Sequence, residues 1–340
     1  MTATQRPDIT LGHPGDLLAS IPPLLGFHPV DSLIVFGLRG PRATELTLVL
    51  RSDLPPPTRA GELARQLLVP LMQQGALGIA LVVVAAPQPD DDLPHRELVA
   101  RCEAAFVDGG IPVVHQLWIP GTRGGTRWRC YDESDCTGIL PDPDDTHLAA
   151  LASDAGLAVY GRREDIVATL QPEPPDVLAR RSESLDRFSA ATEPTGGAAA
   201  LGVVEAAIEA AITTAPALTD EDVIRLSTAL ADHRVRDVCL DFDALPDVAA
   251  AERLWTALAR ASPAPERAEP ACLLAFSAYA RGDGVLAGIA LETAQEADPG
   301  HRLSGLLRGA LAIGLAPGKL RTAGIRAAKC AREALMEQPP

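Results

Sequence analysis

The hydrophobic pattern of the first half of the chain predicts an N-terminal β-hairpin. Residues 32–38, SLIVFGL, form a nearly continuous apolar run, which is typical of a strand buried on both faces. Residues 44–51, TELTLVLR, alternate between apolar and polar side chains, which predicts a strand with one packed face. A Gly-Pro pair between the two runs predicts a turn at 40–43. Antiparallel pairing across that turn would place Ser32 opposite Arg51.

Helical and strand patterns continue to alternate after the hairpin. Residues 58–74 show leucines at helical spacing, with Thr58 at the position of an N-cap and Pro70 predicting a kink or an early end. Residues 78–86 form a second continuous apolar run. These patterns predict an α/β fold: a mixed sheet with an N-terminal β-hairpin and helices on both faces. The remaining predicted elements are a helix over 95–107 and strands over 111–119 and 126–132, the last two joined by a glycine-rich hairpin loop.

The second half of the chain has a different pattern. A proline-rich break, QPEPPD at 171–176, is followed by alanine-rich amphipathic segments, which predict an all-helical domain. We therefore predict an α/β domain over 1–172, a helical repeat-like domain over 173–316 and a basic C-terminal tail over 317–340. The predicted helices cover 176–191, 198–213, 219–232, 234–243, 247–260, 268–281, 284–297 and 301–314.

Two segments of the helical domain resemble the tetratricopeptide repeat. Repeats of this kind often present a concave surface to a protein or peptide, so this domain is predicted to bind a protein partner. A generic alanine-rich helical bundle is the alternative. The later unit matches at Leu274, Ala275, Ala278, Ala287, Leu291, Ala294 and Pro299, and the earlier unit at Val238, Cys239, Phe242, Ala251, Trp255 and Pro263.

Polar residues bracket one end of the predicted hairpin. Pairing would bring Asp31 close to Asp53, and the segment that carries His28 enters from the same end. These residues are either turn and strand-end residues, with a weak ion pair between Arg51 and Asp31, or a site in which Arg51 binds an anion. The predicted ligand-binding residues are Asp16, His28, Asp31, Ser32, Arg51, Asp53, Arg129 and Tyr131, and His28, Asp31 and Asp53 are the catalytic candidates.

Motifs for known chemistry are weak in this sequence. The PGTRGGT loop at 120–126 follows a strand, as phosphate-binding loops do, but no GK[ST] and no helix follow it. Cys130 and Cys136 lack the spacing and the second pair of a structural zinc site, so no metal is predicted. No G-x-S-x-G signature supports Ser32 or Cys136 as a nucleophile with His28. The sequence identifies no cofactor and leaves open whether the protein is an enzyme.

Composition indicates a cytoplasmic protein. The net charge of −15 disfavours nucleic acid as a partner, because the phosphate backbone is also negative. No run approaches the ~20 apolar residues needed to cross a membrane, so no membrane association is predicted. The N-terminus lacks the basic and apolar regions of a signal peptide. Six cysteines spread along the chain favour reduced thiols rather than a disulfide framework.

Three segments resemble a known family. DLLASIPPLLGFHPVDSLIVFGL at 16–38, LRSDLP at 50–55, and the W-x-x-Y motif of Trp128 and Tyr131 with its nearby cysteines are similar to the actinobacterial domain of unknown function 4192 (DUF4192) family. The resemblance spans most of the chain. It implies an actinobacterial cytoplasmic setting and supplies no activity, cofactor or catalytic residue. Members often carry a denser cysteine cluster after W-x-x-Y than this chain does, which weakens the zinc hypothesis further.

Two functional hypotheses follow. The favoured one is a non-catalytic protein-binding or regulatory module, in which the helical domain binds a protein and the α/β domain binds a small anionic ligand. The alternative is an enzyme acting on a small phosphorylated or carboxylated metabolite at the polar cluster of residues 28–53. There Arg51 would hold the anion, His28 would act as acid or base, and Asp31 or Asp53 would orient it. Association with DNA through the basic tail, which is predicted as a solvated capping helix, is the weakest hypothesis.

Overall fold

A computed structural model describes residues 13–40, 45–88, 92–154, 157–191 and 196–337. The chain divides into two compact units, Met1–Arg163 and Glu164–Pro340. The first unit contains a β-sheet, and the described part of the second is helical. Apart from Gly40, the turn predicted at 40–43 lies outside the described residues.

A mixed sheet of six strands forms the centre of the first unit, within the residues that are described. The strand order is β2-β1-β3-β4-β5-β6, in which β3 and β4 are parallel and every other neighbouring pair is antiparallel. The predicted α/β fold with a mixed sheet and an opening hairpin is confirmed. The strands are β1 (Ser32–Arg39), β2 (Glu45–Asp53), β3 (Gly78–Val84), β4 (Val113–Ile119), β5 (Arg127–Cys130) and β6 (Thr137–Ile139), and the helices of this unit are α1 (Pro14–Ala19), α2 (Ile21–Leu25), α3 (Ala60–Gln73), α4 (Arg96–Asp108) and α5 (His147–Asp154), with α6 (Arg163–Thr169) at the boundary.

The hairpin register differs from the predicted one by two residues. Ser32 pairs with Asp53, and Arg51 pairs with Ile34. The residue pairs nearest the turn are shifted by one residue from the predicted register. An irregularity between Gly37 and Leu38 shifts all the pairs beyond it by one residue more. Strand side chains alternate with a period of two, so a shift of two leaves each side chain on its face. Arg51 and Ser32 therefore still share a face of the sheet.

Two helices cover one face of the sheet, which we call the helical face. Residues of α3 and α4 pack there against Leu33, Val35 and the inward side chains of β3. Thr58 is not the N-cap of α3, because the chain first forms a 3₁₀ turn over Pro57–Arg59 and no side chain caps the helix. Pro70 does not shorten α3, which continues to Gln73.

The opposite face of the sheet is also buried. Ile34 and Phe36 lie on it and are both 0% exposed. Arg51 shares this face, and its guanidinium carbon lies 5.9 Å from the ring centre of Phe27. We call this the N-terminal face, because the chain that precedes β1 contacts it there.

The second unit is helical in its described residues, and most helices begin and end within one or two residues of the prediction. The exception is the helix predicted at 234–243, which ends at Val238 because residues 239–247 form turns before a new helix begins. The helices are α7 (Pro175–Ala191), α8 (Gly197–Thr213), α9 (Asp220–Ala231), α10 (His233–Val238), α11 (Val248–Ala261), α12 (Ala268–Arg281), α13 (Gly284–Ala297), α14 (Arg302–Ala312) and α15 (Pro317–Met336).

The structure supports only one of the two predicted repeat units as a pair of helices. In the later unit, α12 and α13 pack together across a short turn in which Gly282 has a φ of +98°. In the earlier unit, Cys239 and Phe242 lie beyond the end of α10, so the first helix of a repeat is too short there. A tetratricopeptide-like array therefore stays a prediction.

The basic tail forms the long helix α15, which packs into the helical unit rather than lying free in solvent. One side of α15 is buried, with Leu320, Ala328 and Leu335 all below 9% exposure. This side contacts α10 and α12. The other side of α15 is largely exposed, so residues 317–336 form a helix that caps the unit and faces solvent on its outer side.

Candidate functional site

The segment before β1 is fixed by backbone hydrogen bonds. Gly26 ends α2 with a φ of +77°, in the left-handed region that favours glycine. The N–H of Tyr160 donates to the carbonyl of Gly26 at 2.7 Å, and the N–H of His28 donates to the carbonyl of Tyr160 at 3.2 Å. His28 therefore projects from a backbone that two hydrogen bonds tie to Tyr160.

The side chain of His28 contacts the loop that follows β4. Its Nδ1 lies 3.0 Å from the hydroxyl oxygen of Thr122. Thr122 is only 2% exposed, whereas His28 is half-buried. The contact lies at the edge of the sheet where the parallel strands β3 and β4 both reach their carboxyl ends. Ligands of open α/β sheets commonly bind outside the carboxyl ends of the strands.

Charged residues of two loops act on the pKa of His28. Burial is the main effect that lowers the pKa of His28 from its ordinary value of 6.5, and the positive charge of Arg123 lowers this pKa further. Asp144, the backbone of Thr122 and Asp142 act in the opposite direction and are outweighed. The imidazole is therefore neutral near pH 7, and Nε2 is the ring nitrogen left for a ligand.

We expect the ring of His28 to titrate below pH 6.5, as measured by NMR and assigned by comparison with the His28→Gln variant. A lowered folded-state pKa means that the unfolded chain binds the proton first as pH falls. The stability contributed by neutral His28 is thus fully present above about pH 6.5 and is lost as pH falls towards the folded-state pKa. Burial also lowers the pKa of His115, so the assignment is essential. A midpoint for His28 at or above pH 6.5 would contradict this electrostatic account.

Arg51, Ser32 and Asp53 form a separate group where β1 begins and β2 ends. Nε of Arg51 donates to the Ser32 hydroxyl at 3.0 Å, and Nη2 lies 2.6 Å from Oδ1 of Asp53. The ion partner of Arg51 is therefore Asp53 and not Asp31. The Ser32 hydroxyl donates to the carbonyl of Val30 at 2.6 Å, so its proton is directed away from any base. This geometry does not favour Ser32 as a nucleophile.

Asp16 and Asp31 are both exposed. Asp16 lies in the first turn of α1, and its backbone carbonyl accepts a hydrogen bond from Ser20. Asp31 has a φ of +41°, and its carbonyl accepts from the N–H of Leu54 at 3.1 Å. Within the described ranges, neither carboxylate makes a hydrogen bond or an ion pair. Asp31 therefore has the position of a turn residue, as the structural hypothesis expected.

Arg129 and Tyr131 lie on the helical face, away from His28. Arg129 pairs with Trp118, which packs in the core of that face. Tyr131 packs against the same core and donates its hydroxyl to the carbonyl of Pro94 at 2.6 Å. Burial raises the pKa of Tyr131 well above its ordinary value of 10. The structure does not bring these two predicted ligand-binding residues to the His28 site.

Sequence reasoning did not place the actual neighbours of His28. Thr122 and Arg123 lie in the glycine-rich loop, for which the sequence predicts a hairpin connection whose arginines could contact an acidic ligand, but not a place beside His28. Asp142 and Asp144 lie at a short 3₁₀ turn over Pro143–Asp145, where the Asp142 carboxylate accepts from the N–H of Asp144 at 3.1 Å. The available signal was weak: the PDPDD run and the TRGG run are both rich in turn residues and charge.

Cys130 and Cys136 form a disulfide, which corrects the expectation that all six cysteines are reduced thiols. Arg129 of β5 pairs with Thr137 of β6. The next residues along the two strands, Cys130 and Cys136, therefore lie opposite each other. Their Cα atoms are 5.4 Å apart, a distance that suits a disulfide. The sequence patterns missed β6, and without β6 this pairing could not be seen. Cys102, Cys239, Cys272 and Cys330 are free.

In the part of the chain that the structure describes, no group of three or more histidine, cysteine, aspartate or glutamate side chains is placed to hold a metal ion. No helix in these ranges combines the length and the apolar character that a membrane crossing requires.

The fold and the site define a two-unit protein, with a helical unit and an α/β unit whose candidate site lies at the carboxyl ends of its parallel strands. The family model described as Domain of unknown function (DUF4192) matches residues 14–318. The chain therefore belongs to the DUF4192 family, as its sequence resemblance indicated. Neither the curated proteins nor the solved structures give a significant match. An actinobacterial origin stays a prediction.

Proposed function

We propose that the protein is a cytoplasmic, non-catalytic binding or regulatory module. Its α/β unit would bind a small anionic ligand beside His28, and its helical unit would bind a protein partner. The observation that carries the ligand site is the contact between His28 and buried Thr122 at the carboxyl ends of β3 and β4, next to the exposed Arg123. This is the edge at which α/β proteins commonly bind small molecules.

The charges around the site define the class of ligand. The exposed guanidinium of Arg123 suits a carboxylate or phosphate group through charge-assisted hydrogen bonds. Neutral His28 offers Nε2 as a further polar contact. Asp142 and Asp144 are exposed and close enough to act on the pKa of His28, so they favour donor groups on the same ligand. We therefore propose a small phosphorylated or carboxylated molecule that also carries hydroxyl or amino groups.

The test is a thermal-shift screen of phosphorylated and carboxylated metabolites, followed by calorimetric titration of any compound that stabilises the protein. Arg123→Gln should weaken binding about tenfold or more, because a hydrogen bond to a charged group contributes about 1.5 kcal/mol or more. Arg127→Gln is the matched control. Arg127 is an exposed arginine two positions before Arg129 on β5, so it points to the helical face and should leave binding unchanged.

Two outcomes would count against this site. Equal losses of affinity in Arg123→Gln and Arg127→Gln would indicate a general charge effect rather than a built site. A screen in which no compound stabilises the protein would remove the basis for a small anionic ligand of this class.

An enzyme acting on a small phosphorylated or carboxylated metabolite remains the second candidate. The observation in its favour is the neutral imidazole of His28, which lies 3.0 Å from a hydroxyl group and could act as a general base. The roles considered for Asp31 and Asp53 are not supported by contacts with His28, because Asp53 pairs with Arg51. Conversion of a bound compound by the native protein but not by His28→Gln would favour the enzyme.

A protein partner for the helical unit is the other half of the proposal. The support is the series of packed helices α7–α15, which includes the helical pair α12 and α13. Cross-linking and affinity purification of the full chain from its native cell tests this half, and recovery of no reproducible partner would count against it. Nucleic acid is not part of the proposal, since the net charge is −15, and a membrane is not part of it either.

A further inference from the structure

The disulfide between Cys130 and Cys136 links the end of β5 to the start of β6, the last strand of the sheet. β6 has three residues and pairs only with β5 in the strand order of the described residues. Besides the disulfide, the N–H of Cys130 donates to the carbonyl of Cys136 at 2.9 Å, and the Thr137 hydroxyl donates to the carbonyl of Trp128 at 2.7 Å. A strand this short depends strongly on each of its attachments.

The chain that leaves β6 builds one side of the site beside His28. Leu140 exchanges backbone hydrogen bonds with the glycine-rich loop: its N–H donates to Thr126 at 2.8 Å, and its carbonyl accepts from Gly125 at 2.9 Å. Asp142 then packs closely against Gly124. A methyl group added to Gly124 would lie 2.9 Å from the Cα of Asp142. The position of β6 therefore influences where Asp142 and the loop of Thr122 and Arg123 lie.

The segment that carries the disulfide is open to solvent. Cys130 and Cys136 are both partly exposed, and the four residues 132–135 between them are exposed. Cys102, Cys239 and Cys272, by contrast, are buried free thiols. Disulfide exchange requires a thiolate to approach one of the sulfurs, so this pair is open to that chemistry.

We propose that Cys130 and Cys136 are a reversible redox pair whose reduction loosens β6 and weakens the ligand site beside His28. The coupling to ligand rests on the proposed ligand site, whereas the redox chemistry and the loosening of β6 do not. Disulfides in the cytoplasm, where we propose that this protein works, are usually transient and catalytic or redox-sensing.

The co-reactant for reduction is a dithiol. One thiolate of the dithiol attacks a sulfur of the pair, the S–S bond of the protein breaks and a mixed disulfide forms. The second thiol of the reductant then displaces the protein sulfur. Cys130 and Cys136 gain two electrons and two protons, and the reductant becomes a disulfide. Reoxidation is the reverse exchange with a small disulfide oxidant, which takes up the two electrons and two protons and becomes a pair of thiols.

The first measurement follows the redox state of the pair. The full chain is equilibrated with mixtures of reduced and oxidised dithiothreitol, alkylated in denaturant and weighed by mass spectrometry. We expect a reversible transition between four and six alkylated thiols, with Cys330→Ser shifting both counts down by one and leaving the midpoint unchanged. Absence of the oxidised form at every ratio, or reduction only together with global unfolding, would overturn the redox pair.

The second measurement tests the coupling without any ligand. Hydrogen exchange of residues 137–145 should be roughly tenfold or more faster in the reduced protein than in the oxidised protein, because a cross-link that constrains a short loop is lost. Exchange in α3 and α4 should not change. Cys136→Ser should show the same fast exchange as the reduced protein. If that variant folds poorly, the comparison of the reduced and oxidised native chain is sufficient. Identical exchange in both states would overturn the coupling.

Titration with pyrophosphate and citrate in both redox states then separates the two proposals. Weaker binding in the reduced state supports the coupling to ligand, whereas equal binding in both states overturns it. If neither state binds any anion, the proposed function fails while the redox pair and the loosening of β6 still stand on the first two measurements.

Discussion

Replacing Gly324 with alanine should destabilise the helical unit by about 3 kcal/mol, which is the upper part of the usual range for overpacking. Gly324 is buried in the middle of α15, where that helix crosses its neighbours. An added methyl group would collide with the backbone carbonyl of Leu240 and with the ring of Phe276. A backbone carbonyl cannot rotate away as a side chain can, so α15 would have to move.

The same helix offers a matched control at Gly318. A methyl group there meets no atom within 4 Å, and the position is exposed. Gly318→Ala should therefore be neutral or slightly stabilising, since alanine is favoured over glycine in a helix. Urea unfolding followed by far-ultraviolet circular dichroism measures both variants. Equal stabilities of Gly324→Ala and Gly318→Ala would show that α15 does not pack as described.

Arg181→Met should destabilise the same unit by about 2 kcal/mol, the middle of the range for hydrogen bonds that involve a charged group. Arg181 is 5% exposed in α7. Its guanidinium donates at 2.8 Å to Asp220, to Glu173 and to the carbonyl of Ala261. Methionine keeps much of the apolar stem but leaves the Ala261 carbonyl without this donor. The carboxylates of Asp220 and Glu173 are partly exposed, so water screens part of the loss.

Arg180 provides the comparison for this variant. It precedes Arg181 directly and also donates to Asp220, at 3.0 Å, but its side chain is 56% exposed. Arg180→Met should change the free energy of unfolding little, because exposed ion pairs contribute little. Urea unfolding of both variants distinguishes the effect of burial from that of charge. A loss in Arg180→Met as large as that in Arg181→Met would contradict the role assigned to the buried guanidinium.

Much of the fold could be predicted from local pattern alone. The helices α12 and α13 begin and end at the predicted residues, because helical spacing, Gly282 and Asp283 all indicate the same boundaries. The apolar runs of β1 and β3 were recognised because these strands are buried on both faces. In contrast, β6 has only three residues, of which two are exposed, and no hydrophobic period can be detected over that length.

The candidate site was harder to predict because it depends on tertiary contacts. Ser32, Arg51 and Asp53 could be grouped correctly from the predicted hairpin, since pairing geometry fixes neighbours across strands. The position of His28 could not be predicted in this way, because its neighbour Thr122 lies 94 residues away in the chain. The sequence also could not show that Arg129 and Tyr131 lie on the helical face, because alternation shows that two sets of side chains differ but not which set faces which layer.

The most direct test of the ligand site is a map of NMR chemical-shift changes when the full chain is titrated with pyrophosphate or citrate. The account predicts that the largest changes occur at His28, at Thr122 and Arg123 and at residues 142–145, and that they saturate together. Changes confined to the Arg51 group or to the helical face around Tyr131, or no saturable changes anywhere, would contradict a ligand site at the carboxyl ends of β3 and β4.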